Sequence, residues 1–66
     1  MVWKNIEIIG ESSESFADAV KDAVREAAKT VRGMEWFEAV SFRGTIAQDK
    51  VKQFQVVVKI GFRVER

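Results

Sequence analysis

The sequence predicts an α+β fold: a β-α-β-β protomer whose three-stranded antiparallel sheet, in the order 1-3-2, is curled around one helix. Three observations carry this. Apolar residues recur at three- and four-residue spacing from Phe16 to Val31, the period of a helix buried along one stripe. The period is two before Gly10 and again after Gly33, as in strands. The resulting order is strand, helix, strand, strand. A right-handed crossover through the helix sets the first two strands parallel and one position apart, so the third pairs antiparallel between them.

Each element has its own signals. Val2 to Ile9 reads as the first strand, with Val2, Ile6 and Ile8 alternating against Asn5 and Glu7. Gly10 to Glu14 is a polar, serine-rich break. Ser15 is placed to cap a helix, with Asp18 three residues later in a capping-box arrangement. The helix is expected from Phe16 to about Arg32. Phe16, Ala19, Val20, Ala23, Val24, Ala27 and Val31 form its apolar stripe, opposite Asp18, Lys21, Asp22, Arg25, Glu26 and Lys29. Arg32 and Gly33 supply a favourable C-terminal charge and a residue that tolerates left-handed backbone angles.

Met34 to Arg43 suits the second strand and Val51 to Val64 the third, with Gly44 to Lys50 as the connection. Phe54, Val56, Val58, Ile60, Phe62 and Val64 make one unbroken apolar face of the third strand. Strict alternation in the second strand puts Trp36, Val40 and Phe42 on one side and Phe37 and Ala39 on the other. Both faces then carry large apolar groups, and a single helix covers only one. The third strand is about 45 Å long at ~3.4 Å per residue. A compact protomer of this length is roughly 28 Å across. The hairpin must curl around the helix or project beyond it, and either way it presents apolar surface to other copies of the chain.

Composition narrows the function. Sixty-six residues are expected to make one domain, 1–66, with little core of its own. Cys and His are absent, which excludes disulfides and the usual zinc ligand sets and leaves self-association or unusually good packing. Eleven basic against ten acidic residues are too balanced for a dedicated binder of nucleic acid or membrane surfaces. No apolar run approaches a membrane span, and no signal-peptide core follows Met1. A cytoplasmic location is expected.

Conventional catalysis is not expected, since His, Cys and Tyr are all missing. The ten carboxylates read as solvated surface charge, and the serines around Ser12 lack a base. Gly10 and Gly33 read as isolated turn glycines. Binding is the better prospect. Trp36 opens the second strand, where a flat indole suits stacking on a planar ligand, although packing is the commoner role of a large aromatic. Gln55 carries donors and an acceptor suited to a heterocycle edge; by pattern alone it is a solvated sheet residue. Arg43 and Arg63 offer forks for phosphate or for salt bridges. Lys50 and Lys52 beside Phe54 make only a weak basic-aromatic patch.

The chain as a whole resembles the dodecins, small flavin-binding proteins. The resemblance is carried by Gly10 to Phe16, by Trp36-Phe37-Glu38-Ala39-Val40, by Arg43-Gly44-Thr45-Ile46, and by Phe54-Gln55-Val56 with Gly61-Phe62-Arg63. It implies a hollow homododecamer of 23 symmetry that stores and buffers flavin without turning it over. It further implies flavin pairs stacked between symmetry-related tryptophans, with Trp36 at the stacking position and Gln55 at the ring's pyrimidine edge. Arg43, Thr45 and Arg63 complete the expected cofactor contacts. Arg43-Gly44-Thr45 is the pattern of bacterial members, and a positive charge there favours a flavin with a phosphate, FMN over riboflavin, with riboflavin and FAD as the alternative cofactors. Some bacterial relatives also bind coenzyme A, which makes it a second candidate ligand. The rival reading is a purely structural oligomer; nucleic-acid binding stands a distant third.

Overall fold

A computed structural model describes residues 1–64 and has the predicted element order: β1 (Trp3–Ser12), α1 (Phe16–Ala27), β2 (Met34–Ala47) and β3 (Lys50–Arg63). The sheet order is β1-β3-β2, and both outer strands pair antiparallel with β3.

The ends of the elements differ from the sequence expectation, each for a physical reason. β1 continues through Gly10, Glu11 and Ser12, where a polar break was expected. Gly10 is not a turn residue. It is buried opposite Val56, and a Cβ there would lie 1.9 Å from the Ala19 carbonyl oxygen and 3.0 Å from Ala23 Cβ. Its missing side chain lets the helix rest directly on the strand.

Ser15 caps α1 as expected, its Oγ accepting from the Asp18 amide at 3.0 Å. The reciprocal half of the capping box is replaced. Ser12 Oγ accepts from the Glu14 amide at 2.9 Å and, more weakly, from the Ser15 amide at 3.5 Å. α1 stops at Ala27 and does not run to Arg32. The amides of Lys29 and Thr30 turn to the carbonyls three residues back, Glu26 at 3.2 Å and Ala27 at 3.1 Å. This tightening ends the helix before β-branched Thr30 and Val31. Arg32 still serves the C-terminal end, donating to the Ala28 carbonyl at 3.2 Å, and Gly33 takes φ 76° to redirect the chain.

The seven-residue connection expected between Gly44 and Lys50 is a two-residue turn at Gln48 and Asp49, with φ 54° and 64°. Positive φ at both central positions matches the twist of the flanking strands. Gln is not among the usual residues for such a turn, so the pattern hid it. Gly44 to Ala47 therefore belong to β2, and Lys50 opens β3, which ends at Arg63.

The faces of β2 also need correction. The register shifts between Ala39 and Ser41, leaving Val40 as an extra residue. Phe37, Ala39 and Phe42 pair with Ile60, Val58 and Val56 and so share the helix side of the sheet. Trp36, Glu38, Ser41 and Arg43 pair with Gly61, Lys59, Val57 and Gln55 on the outer side. Trp36 and Phe42 thus lie on opposite faces.

The core is small. Val56, Val58 and Ile60 are fully buried against Ala19, Ala23 and Ala27. Each large side chain contributes ~1.5–3 kcal/mol of burial. The valines of the predicted stripe, Val20 and Val24, are only half-buried at its margin. Phe16 pins the helix start to the sheet, its ring edge-on to Phe54 at 5.0 Å and to Phe42 at 5.2 Å.

Of the two ways to fit the long hairpin, the chain projects it. The protomer measures 51 × 19 × 13 Å, with a radius of gyration of 13.5 Å, against ~11 Å for a compact chain of this length. Between Glu35 and Lys52 every residue except Ala39 is exposed, including Phe42 at 59%, Val51 at 62% and Ile46 at 76%.

Substituting Gly10 by Ala forces the helix off β1. At fixed protomer concentration the Gly10→Ala protein should lose ~1–3 kcal/mol or more in a urea titration. An unchanged midpoint would show that the approach of α1 to Gly10 does not matter.

Candidate functional site

The sheet face turned away from α1 carries the chemistry. At one end Trp36 pairs across to Gly61. A Cβ on Gly61 would sit 1.9 Å from Trp36 Cε2 and 2.5 Å from its Nε1, so the indole lies flat over the strand where a side chain would otherwise stand. Gly61 is buried beneath it, yet Trp36 remains 43% exposed. One side of the ring is set by protein while much of the indole stays open for stacking. Arg63 pairs in register with Trp3, and its guanidinium reaches Glu35 at 3.7 Å.

At the other end, three residues in register form a polar row across all three strands. Arg43 Nε donates to Gln55 Oε1 at 2.9 Å, and Gln55 Nε2 donates to Glu11 Oε2 at 2.6 Å. Both hydrogen bonds have an ionised partner, the stronger kind. Thr45 lies one step further along this face, opposite Gln53.

The bulge at Val40 is what brings these groups to one face. Arg43 is seven positions after Trp36, and in a regular strand an odd separation puts two side chains on opposite sides. The extra residue restores the match. Even so, Gly61 and Gln55 are six residues apart on β3, roughly 20 Å at the rise of a strand. No planar ring system of three fused rings spans that distance. The indole and the amide row therefore stand as two separate clusters on one face.

Of the sequence-predicted residues, the fold gathers Gln55, Arg43 and Thr45 at one end and Trp36 with Arg63 at the other. Lys50 and Lys52 do not join Phe54 in a basic-aromatic patch, because the Phe54 ring packs under Phe16. Two residues that touch these candidates, Gly61 and Glu11, were not among them. Gly61 carried a signal, as a glycine inside a strand marks close approach by another group. Glu11 carried none, since it was placed in a break.

The dodecin family model matches residues 2–65. The chain belongs to the dodecin family. It is 44% identical over 64 residues to the dodecin of Thermus thermophilus, covering 97% of this chain and 93% of that one. The solved tt0972 protein of Thermus thermophilus superposes with a TM-score of 0.94 at 43% identity, covering 98% and 96% of the two chains. The dodecin of Streptomyces coelicolor superposes with a TM-score of 0.95 at 37% identity, covering 98% and 93%. Membership makes this chain one of a family of small, oligomeric flavin-binding proteins. Among the described residues no helix is long and apolar enough to cross a membrane, and no group of three His, Cys, Asp or Glu is placed to hold a metal ion.

The Gly61→Ala substitution tests how the indole is held. In a Trp3→Phe background, where Trp36 alone emits, the added methyl should lift the ring and shift its emission to longer wavelength. An unmoved spectrum would show that Gly61 does not set its position.

Proposed function

We propose that this protein stores and buffers flavin as a homododecamer, binding flavin pairs between the Trp36 rings of neighbouring subunits, and that it does so without catalysing turnover. The observation that carries this reading is the half-exposed indole lying flat on Gly61, on the same face as the Gln55 row. Stacking between aromatic planes needs no titrating group, which suits a chain without His, Cys or Tyr. The roughly 20 Å between the two clusters favours sites shared between copies. The exposed apolar residues of β2 supply surface for that assembly.

Within such a site each residue has a distinct task. Trp36 stacks on the isoalloxazine and, as an electron donor, quenches its excited state. The Gln55 amide meets the pyrimidine edge of the ring. Arg43, whose Nε is engaged by Gln55, directs its terminal nitrogens to the phosphate of FMN, with Thr45 beside it and Arg63 as a weaker second cation. FMN is therefore the favoured ligand. A cytoplasmic location fits a protein that buffers a soluble cofactor.

Replacing Trp36 with Ala should weaken flavin binding roughly tenfold or more, since stacking contributes ~0.5–1.5 kcal/mol beyond the buried ring area. Residual bound flavin should fluoresce. A fluorescence titration that matches the parent protein would remove Trp36 from the site. A purely structural oligomer predicts no quenching by any flavin.

FMN should bind more tightly than riboflavin at low salt, with the gap narrowing as salt screens the phosphate contact. Arg43→Ala should remove most of the difference, leaving the smaller part that Arg63 supplies. Equal and salt-insensitive dissociation constants for the two flavins would reject the phosphate role of Arg43.

A further inference from the structure

The row Glu11–Gln55–Arg43 does more than place an amide on the sheet. A glutamine amide is nearly symmetric in shape and can present its oxygen and nitrogen either way round. Here both ends are committed. The carboxylate of Glu11 can only accept, so the Gln55 nitrogen must face β1. The guanidinium of Arg43 can only donate, so the Gln55 oxygen must face β2. The three residues are directly cross-paired, so the strands themselves hold the row in line. Each engaged atom of the amide keeps one further valence: a second N–H on Nε2 and a second lone pair on Oε1.

We propose that Glu11 is a positioning residue that fixes the orientation of the Gln55 amide. The protein thereby selects planar ligands whose edge offers an N–H donor next to a carbonyl acceptor. This inference rests on the reading of Gln55 as a contact to the flavin's pyrimidine edge. It adds a residue from β1 to a recognition site otherwise assigned to β2 and β3. Without Glu11, Arg43 still attracts the amide oxygen, but nothing holds the nitrogen in the plane of the row. The amide then spends part of its ordering on binding, and discrimination between ligand edges falls.

The test compares lumiflavin with 3-methyllumiflavin, which lacks the ring N–H and carries no phosphate, so Arg43's attraction for phosphate does not enter. The parent protein should prefer lumiflavin by about tenfold, and Gln55→Ala should bring the ratio close to one. Glu11→Ala should lower the ratio roughly three- to tenfold, the range of a net hydrogen bond. Quenching of bound lumiflavin should stay at the parent level, because Trp36 is not touched. Glu11→Gln, which still offers an accepting oxygen, should recover part of the preference. In the ligand-free protein, Glu11→Ala should also shift the side-chain amide resonances of Gln55.

If Gln55→Ala removes the preference while Glu11→Ala keeps it in full, the positioning role is overturned and the Gln55 contact stands. If Gln55→Ala keeps the parent ratio, the contact itself is wrong. Should Glu11→Ala fail to assemble, Glu11→Asp carries the same measurement, since its shorter side chain draws the acceptor away from Gln55; a parent-like ratio there also overturns the proposal.

Discussion

A helix of twelve residues rises only about 18 Å, whereas the strands it must cover run to fourteen residues and roughly 46 Å. This mismatch governs the molecule. α1 packs on β1 and β3 and leaves most of β2 beyond its reach, so the protomer ends with a small core and a long exposed hairpin. Burial per protomer is too little for comfortable independent stability in a chain without disulfides or metal ligands. The surface left over is ordered, twisted sheet with aromatic and branched side chains on it, a surface suited to closing against copies of itself. Oligomerisation in this family is therefore also a consequence of element lengths.

The same economy appears in how the sheet is filled. Glycine stands where something must come within reach of backbone: Gly10 under the helix and Gly61 under the Trp36 indole. The two sites serve different ends. The first lets alanines replace larger residues on the helix face, giving a close contact and a thin protomer. The second sinks an aromatic plane into the sheet so that it presents a flat surface and not an edge. The bulge at Val40 links these layers, because it turns Phe42 inward to Phe16 and keeps Arg43 outward beside Gln55. One inserted residue thus supports both packing and the polar row.

Much of this was legible in the chain itself. The helix stripe, the Ser15 cap, the left-handed Gly33 and the 1-3-2 order all follow from local period, capping chemistry and crossover handedness. Trp36, Gln55, Arg43, Thr45 and Arg63 were singled out as candidate contacts, but from resemblance more than from pattern. What misled was strict alternation. It extends a strand's faces without interruption, so it assigned Trp36 and Phe42 to one side and had no means of locating the extra residue. Likewise a glycine opening a polar, serine-rich stretch reads as a break whether or not a helix lies across it.

By itself, the sequence determined the order and kind of the elements, the lack of His, Cys and Tyr, and a surplus of apolar surface that one helix does not cover. These depend on residue type and spacing along the chain, which are local quantities. Only the tertiary structure decided that Glu11, Gln55 and Arg43 share one hydrogen-bonded row, and that Trp36 rests on Gly61 far from them. Register and bulges set those neighbours, and they arise from how three strands and a helix settle against one another. No single strand contains that information, because cross-strand contact is a property of the pairing.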